Sequence, residues 1–443
     1  MPSMTLTAPT WALVVLVTLT GGAPAAAQIV VEHTFEVPAS GEAVATISAG
    51  CRRCDWSASG REAVALKLSV DGAYSQHVLL TRGERPVDYA VMLGAIPAGK
   101  HRLTLERDAG WSARDAGEVV TGTVSVRIHH PDSPEYKWLS NAPILHARPG
   151  TLERFSDVPL FMYAEAGSDG GFAYTVIFSH EDGGTPTDRL MATWGRSTDI
   201  EYVYGFSAAA PGGEYQGRDH EILPFRGTRA GSHPLLWVST DNNMVSDRGP
   251  ENAVRFAPAP QLVRLVNASR ETVMDLNPWL YKVMASELAR EGRIDPAAAP
   301  GSGKVADPRE FAIVQACADL KDATIAFDLG VDTGTGELAW HPSDSGDPRF
   351  RIARSGCFRS AVRLPAGTTL AQLRSIRARA YTRPPRNGET PLPPGSGHVV
   401  LRSVNPILML DQEFGPVSSR WSWMGTLQLS GESAPVTIPV KRW

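Results

Sequence analysis

The sequence predicts a mostly β protein made of several antiparallel, β-sandwich-like domains, with one clear helix in the central region. Three observations predict this class. Short apolar runs that alternate with polar residues recur over residues 28–128 and again beyond residue 325, separated by Gly, Asp and Pro turns. A single segment, residues 278–291, combines helical periodicity with helix end signals. The length of 443 residues is sufficient for two or three domains with cores of their own.

The first 27 residues have the pattern of a secretory signal peptide. The apolar run WALVVLVTLT is followed by the small residues PAAA, so we expect cleavage after Ala27. This run is too short to anchor the chain by spanning a bilayer, and no later stretch is long enough. Residues 1–10 lack the Lys or Arg usual in signal peptides. We expect a secreted or periplasmic protein without a transmembrane segment in its mature part.

Changes in composition divide the remaining chain into three regions. Regularly spaced short strands predict an N-terminal β-sandwich-like accessory domain over residues 28–130. Two prolines within residues 131–134 mark its end, because proline cannot continue a β ladder. A central β-rich domain over residues 131–300 ends in the linker-like sequence AAAPGSG. Residues 301–443 are predicted to form a C-terminal β domain.

The predicted central helix has signals at both ends. Asn277 can cap it, Pro278 suits its first turn and Gly292 follows its last residue. Its apolar residues share one face and are expected to pack into the core: Leu280, Val283, Met284 and Leu288. A second, short helix is predicted over residues 370–378.

The four cysteines are predicted to form two disulfides, Cys51–Cys54 and Cys317–Cys357, because an even count in an exported protein favours bridges. A redox role for the first pair is the alternative. Its flanks resemble loops rather than the strand and helix of redox motifs, and no second ligand pair for zinc lies near it.

The densest polar cluster lies within residues 174–249, where short apolar strands carry His, Asp, Glu or Asn. In an extended strand over residues 198–206, Asp199 and Glu201 point to one face. Their Cα atoms are then about 6.5–7 Å apart, and carboxylates at such a range can act as acid and base or share a metal. The alternative is an ordinary solvated strand face, with its acids neutralised by nearby arginines.

Asp219 and His220 are predicted to assist this pair as further catalytic residues. A histidine beside acids can be a general base or a metal ligand oriented by a carboxylate. If residues 219–221 are extended, however, His220 points away from its acidic neighbours.

Substrate contacts are predicted within the same polar cluster. An indole is flat and apolar with one hydrogen-bond donor, so Trp194 could stack on a sugar ring. Trp237, in the middle of a strand, is expected in the core. The residues predicted to bind substrate are Trp194, Arg196, Asn242 and Asn243.

Metal binding is an alternative use of the cluster. His180, His220 and His233 could bind zinc if the fold brings them together, although the sequence has no HExxH spacing. Asp241 begins a run of oxygen donors that could bind calcium, although the spacing does not fit an EF-hand. The predicted metal ligands are His180, His233 and Asp241, with calcium or zinc as the ion.

These observations favour a carbohydrate-active hydrolase or lyase that acts on a polysaccharide or another extracellular ligand. One alternative is a non-catalytic cell-surface or glycan-binding protein with structural calcium. The other is a metal-dependent hydrolase that uses the central histidines. The formal net charge of −4 without basic blocks argues against nucleic acid as a partner. The sequence has no GxSxG nucleophile motif and no dinucleotide fingerprint.

Overall fold

A computed structural model describes residues 28–442, so the predicted signal peptide lies outside the described residues. The described chain is 45% strand and 10% helix, arranged in several antiparallel sheets, which confirms the predicted fold class. Within residues 28–442, the structure has no helix of the length and apolarity that a membrane span requires.

Seven strands form the N-terminal region: β1 (Gln28–Val37), β2 (Gly41–Cys51), β3 (Ala65–Val70), β4 (Ala73–Leu79), β5 (Val87–Ile96), β6 (Gly99–Arg107) and β7 (Val119–His129). They pair as two antiparallel sheets in the orders β1-β6-β3-β4 and β5-β2-β7. Buried residues from both sheets, such as Ile47 and Leu68, share one core. The two-residue alternation that predicts the strands therefore also builds a sandwich.

The central region has eleven strands and five helices: α1 (Tyr136–Ser140), β8 (Ile144–His146), α2 (Thr151–Arg154), β9 (Pro159–Ala166), β10 (Phe172–Phe178), α3 (Thr187–Trp194), β11 (Asp199–Phe206), β12 (Glu214–Gln216), β13 (Ile222–Pro224), β14 (Arg229–Ala230), β15 (His233–Val238), β16 (Val245–Ser246), β17 (Arg255–Phe256), β18 (Gln261–Val263), α4 (Thr272–Leu276) and α5 (Trp279–Arg290). One sheet has the order β13-β12-β11-β10-β9-β18, and the other has the order β14-β15-β8-β17 with β16 beside β15. The pairs β9–β18 and β8–β15 are parallel, so both central sheets are mixed.

The predicted central helix is α5. Its four predicted core residues are at most 3% exposed, which confirms the apolar face. Gly292 follows the helix with a φ of 64°. Asn277 does not cap α5, because its side chain donates instead to the Val273 carbonyl of α4 at 3.0 Å.

The described part of the C-terminal region, residues 301–442, has eleven strands: β19 (Phe311–Lys321), β20 (Ala323–Asp332), β21 (Leu338–Pro342), β22 (Gly356–Arg363), β23 (Leu373–Thr382), β24 (His398–Val404), β25 (Leu408–Leu410), β26 (Pro416–Ser418), β27 (Trp421–Ser430), β28 (Val436–Thr437) and β29 (Lys441–Arg442). They form sheets in the orders β26-β25-β19-β24-β27-β29, with β22 beside β19, and β21-β20-β23-β28. Both sheets contribute to one large core.

The helix predicted over residues 370–378 is wrong. A 3₁₀ turn covers Leu370–Gln372, and β23 begins at Leu373. Ile376, Ala378 and Ala380 are buried at strand spacing and pack into the C-terminal core. Pairing with β20 decides the conformation, since tertiary packing overrides a weak local helix preference.

The hydrophobic cores continue between neighbouring regions. Val283 of α5 belongs to the core of the N-terminal sandwich, and Ile313 of β19 packs with α4 and α5. Trp56 Nε1 donates a hydrogen bond of 2.9 Å to Glu287 Oε2 of α5. The three-domain division stays a prediction, and shared packing connects its parts.

Both predicted disulfides are present, Cys51–Cys54 and Cys317–Cys357. The second joins directly paired positions of β19 and β22. We expect it to stabilise the fold more than the first, because its residues are 40 positions apart in the sequence rather than 3. The loss of loop entropy corresponds to about 4 kcal/mol for the long loop and about 2 kcal/mol for the short one.

Denaturant unfolding of the double variants Cys317→Ala/Cys357→Ala and Cys51→Ala/Cys54→Ala would measure this difference. Each pair serves as the other's control. The expectation would be contradicted if Cys51→Ala/Cys54→Ala lowered the free energy of unfolding as much as, or more than, Cys317→Ala/Cys357→Ala.

Candidate functional site

A polar cleft of about 410 Å³ lies where β10 ends and β11 begins. The fold brings six of the predicted site residues to its lining: Trp194, Arg196, Asp199, Glu201, His220 and Asn242. Further lining residues that the sequence analysis did not assign include Glu181, Gln216 and Arg270. The cleft therefore collects side chains from segments up to about ninety positions apart.

Antiparallel pairing places the two predicted carboxylates. Phe178 of β10 lies opposite Asp199, and Val176 lies opposite Glu201. Asp199 is 2% exposed and Glu201 is 7% exposed, so they are not the solvated face of a half-buried strand. Burial of two acids so close together needs a specific compensation.

Burial, and after it the negative charge of Asp199, raises the pKa of Glu201 to about 8. Burial and the Asp199 charge raise the pKa of Glu181 to about 7. Neighbouring carboxyl groups whose environments hold a proton on one of them can divide the roles of acid and base.

A buried ion pair lies behind these acids. Arg196 is 1% exposed, and its Nε lies 3.4 Å from Glu271 Oε1. Burial alone would raise the pKa of Glu271, but Arg196 and Arg270 hold it at about 2. Arg196 also donates to the Thr198 carbonyl. The arginine predicted to bind substrate therefore already neutralises a buried carboxylate at the edge of the cleft.

Amide side chains connect the acids to the rim. Gln216 Nε2 donates to Glu201 Oε2 at 3.2 Å and lies 2.7 Å from His220 Nδ1. Asn242 Nδ2 lies 3.2 Å from His220 Nε2. This polar chain joins a buried carboxyl group to an exposed imidazole on a separate loop.

The extended conformation considered for residues 219–221 is wrong. His220 lies in a turn with a φ of 59°, and β13 begins only at residue 222. This turn allows His220 to reach the cleft. Asp219 is exposed and is not among the lining residues, so the structure does not place it beside the paired carboxylates.

Asn243 and Asp241 have different surroundings from Asn242. Asn243 is fully buried, and its Nδ2 donates to Asp199 Oδ2 and to the His180 carbonyl, both at 3.0 Å. Asn243 therefore holds the Asp199 carboxylate in position from the protein interior. Asp241 is exposed, and its backbone carbonyl accepts a hydrogen bond from Gly183.

The structure does not bring His180, His220 and His233 to one point. His220 lies at the rim of the cleft, whereas His180 is fully buried. The ring nitrogens of His233 lie 2.9 Å from the Ala142 carbonyl and 3.0 Å from Glu42 Oε2. Both nitrogens of His233 are thus engaged by the protein itself.

One group within residues 28–442 has the spacing of metal ligands: ligand atoms of Asp157, His180 and Asp182 lie within 4.8 Å of one another. Arg148 contacts both of these acids, at 3.0 Å from Asp182, and Arg154 lies 2.6 Å from Asp182. The two guanidinium groups already supply the positive charge that a cation would bring. Both ring nitrogens of the buried His180, in contrast, have no hydrogen-bond partner among the described residues.

Trp194 is the aromatic residue of the cleft. It ends α3, and Gly195 follows it in the left-handed conformation with a φ of 67°. The indole is half-buried, and the Arg354 guanidinium lies 4.7 Å from the centre of a ring. Trp237 is 8% exposed and stacks on His146 within the protein, as expected for a core residue.

No protein-family model matches the chain, and the curated proteins contain no match. Solved structures give weak likenesses. The C-terminal domain of EclA, described as a sugar-binding protein, is 16% identical over 23% of this chain and 68% of that chain, with a TM-score of 0.18.

Two further structures have lower scores. The N-terminal CBM22-1–CBM22-2 tandem domain of Paenibacillus barcinonensis Xyn10C is 9% identical over 81% of this chain and 77% of that chain, with a TM-score of 0.15. A lectin from Pleurotus ostreatus in complex with GalNAc is 10% identical over 92% of this chain and 77% of that chain, with a TM-score of 0.12. These neighbours are carbohydrate-binding or sugar-binding proteins. Such TM-scores are too low to assign a fold or a ligand to this chain.

We expect Glu201 to make stability depend on pH. Its folded-state pKa of about 8 exceeds the ordinary 4.5, so its contribution is complete at acidic pH and is lost as the pH rises through about 8. Glu201→Gln, which cannot ionise, should remove this part of the decline. Denaturant unfolding between about pH 5 and about pH 9 would test it. Glu36→Gln, at an exposed position of β1, is the control, and identical pH profiles for both variants would contradict the expectation.

Gly184 is expected to keep the cleft open. A Cβ at this position would lie 2.5 Å from Glu181 Oε1 and 2.7 Å from Asn242 Oδ1, and its φ is 83°. Gly184→Ala should strain the backbone and displace both side chains. Gly72→Ala is matched, since its φ is 81° and nothing lies within 4 Å of the added Cβ.

Both alanine variants should lose about 1 kcal/mol of stability. Only Gly184→Ala should shift the carboxyl resonances of Glu181 in an NMR titration. Unchanged resonances in that variant would contradict the proximity of Gly184 to the acids.

Proposed function

We propose that the central cleft binds a glycan and that its carboxyl groups catalyse the cleavage of that glycan, as a hydrolase or a lyase. One observation carries the proposal: Asp199 and Glu201 meet in a single cleft with Glu181 and the half-buried Trp194. Carboxyl and amide groups can bind sugar hydroxyls, and an indole can pack against the apolar face of a sugar ring.

The acid–base roles follow from the environments of the carboxyl groups. Glu201 retains its proton at neutral pH and is the general acid, and Asp199 is the base. Asp199 and Glu201 lie two residues apart on β11 and line the same cleft. The two groups therefore act as one proton-transfer unit, and Glu181 supplies a further carboxyl group from the segment that follows β10.

A non-catalytic glycan-binding protein is the second candidate. The half-buried Trp194 and the amides of Gln216 and Asn242 support binding independently of any proton transfer. In that case, the proton on Glu201 serves only to avoid burying two negative charges side by side. Either function suits export from the cell, which the two disulfides also support.

Asp199→Asn and Glu201→Gln should separate catalysis from binding. We expect each substitution to lower the rate of glycan cleavage by at least about 100-fold, because it removes a proton-transfer group, with affinity largely retained. Cleavage would be followed by the release of reducing ends from a panel of plant, algal, fungal and animal polysaccharides. Affinity would be measured by calorimetry on oligosaccharides of any polysaccharide that responds.

Asp132→Asn and Glu36→Gln, at exposed positions outside the cleft, are isosteric controls and should keep wild-type rates. Trp194→Ala should weaken binding about tenfold through lost stacking. Binding without cleavage, weakened by Trp194→Ala, would leave the binding protein as the function. Binding that no cleft substitution changes would contradict both candidates.

A further inference from the structure

We propose that the glycan is acidic and that Arg270 binds a carboxylate on one of its sugars. This inference rests on the proposed function and adds the substrate class. Its basis is the Arg270 guanidinium, which lines the cleft and has N–H donors without close acceptors in the protein.

Arg270 has unusual partners for an arginine surrounded by acids. Its side chain is 38% exposed. Nη2 lies 3.9 Å from Glu201 Oε1, and Nε lies 3.7 Å from Glu271 Oε1. Both distances exceed those of charge-assisted hydrogen bonds. Among the described residues, the Arg270 guanidinium makes these two ion pairs but donates no hydrogen bond.

The arginines around Arg270, unlike Arg270 itself, donate hydrogen bonds to the protein. Arg196 is buried against Glu271 and donates to the Thr198 carbonyl. Arg354 donates to the Thr193 carbonyl at 2.8 Å and lies over Trp194. Of Arg196, Arg270 and Arg354, Arg270 therefore has the fewest close hydrogen-bond acceptors in the protein, and it lines the cleft.

The neighbouring acids limit the charge of the ligand. Burial raises the pKa of Glu201 to about 8 and that of Glu181 to about 7, so at neutral pH Glu201 is mostly protonated and Glu181 is partly protonated. They therefore repel an anion less than two carboxylates would. The charge of Asp199 remains close by and disfavours a group with more than one negative charge. A planar carboxylate matches the fork of a guanidinium through two parallel hydrogen bonds. A uronic acid residue provides such a group together with the hydroxyls and ring face that the rest of the cleft can bind.

The test compares wild type with Arg270→Gln and Arg270→Lys on matched ligands. The probes are oligosaccharides of galacturonate, alginate and hyaluronan, each beside its methyl-esterified form, with sulfated carrageenan and neutral cello-oligosaccharides as further arms. We expect wild type to bind a uronate oligosaccharide at least about tenfold more tightly than its ester. Arg270→Gln should abolish that preference, and Arg270→Lys should retain part of it.

Arg248→Gln controls for the general loss of a positive charge, since the Arg248 side chain is 80% exposed and lies outside the cleft. Thermal unfolding would establish that Arg270→Gln is folded. Preference for neutral or sulfated glycans, or a uronate preference that survives Arg270→Gln, would overturn this inference and leave the proposed function intact. Failure of every glycan in the panel to bind would overturn both.

Discussion

The cleft depends on the buried ion pair between Arg196 and Glu271. Both side chains are 2% exposed, and burying such charges costs several kcal/mol for each ion unless they are paired. Arg196 lies in the connection from α3 to β11, and Glu271 lies at the start of α4. Movement of either element would separate this buried pair. The ion pair therefore fixes the strand that carries the paired carboxylates against the helix beside it.

The site uses burial for two purposes. Burial disfavours the ionised forms of Glu181 and Glu201, which gives the cleft protonated carboxyl groups near neutral pH. The same burial requires hydrogen-bond partners, and these come from other segments of the chain. Gln216 donates a hydrogen bond to Glu201, and Asn243 donates one to Asp199. The chemistry of the cleft and the stability of its walls consequently rest on the same contacts, so a substitution at either amide affects both.

Two-residue periodicity was sufficient to predict many of the strands and the shared face of Asp199 and Glu201, and helical periodicity with end signals was sufficient to predict α5. It could not predict α3, whose eight residues are too few for a clear apolar stripe. Arg270 was missed because it reaches Glu201 through the tertiary arrangement of β9, β18 and α4, and no local pattern reports such proximity. The extended conformation considered for residues 219–221 would have turned His220 away from its acidic neighbours, and strand periodicity could not reveal the left-handed turn that the residue adopts.

Helix α5 packs into two cores at once, and this limits how the chain could be rearranged in evolution. Val283 completes the interior of the N-terminal sandwich, and Glu287 accepts the indole proton of Trp56. Arg290 donates to the Trp56 carbonyl at 3.1 Å. Transfer of the sandwich to another protein would expose its apolar interior unless α5, or a helix of the same shape, moved with it. The segments that would have to be transferred together, the sandwich and α5, are therefore not contiguous in the sequence. A gene fusion at the proline-rich junction after β7 would separate parts that pack against each other.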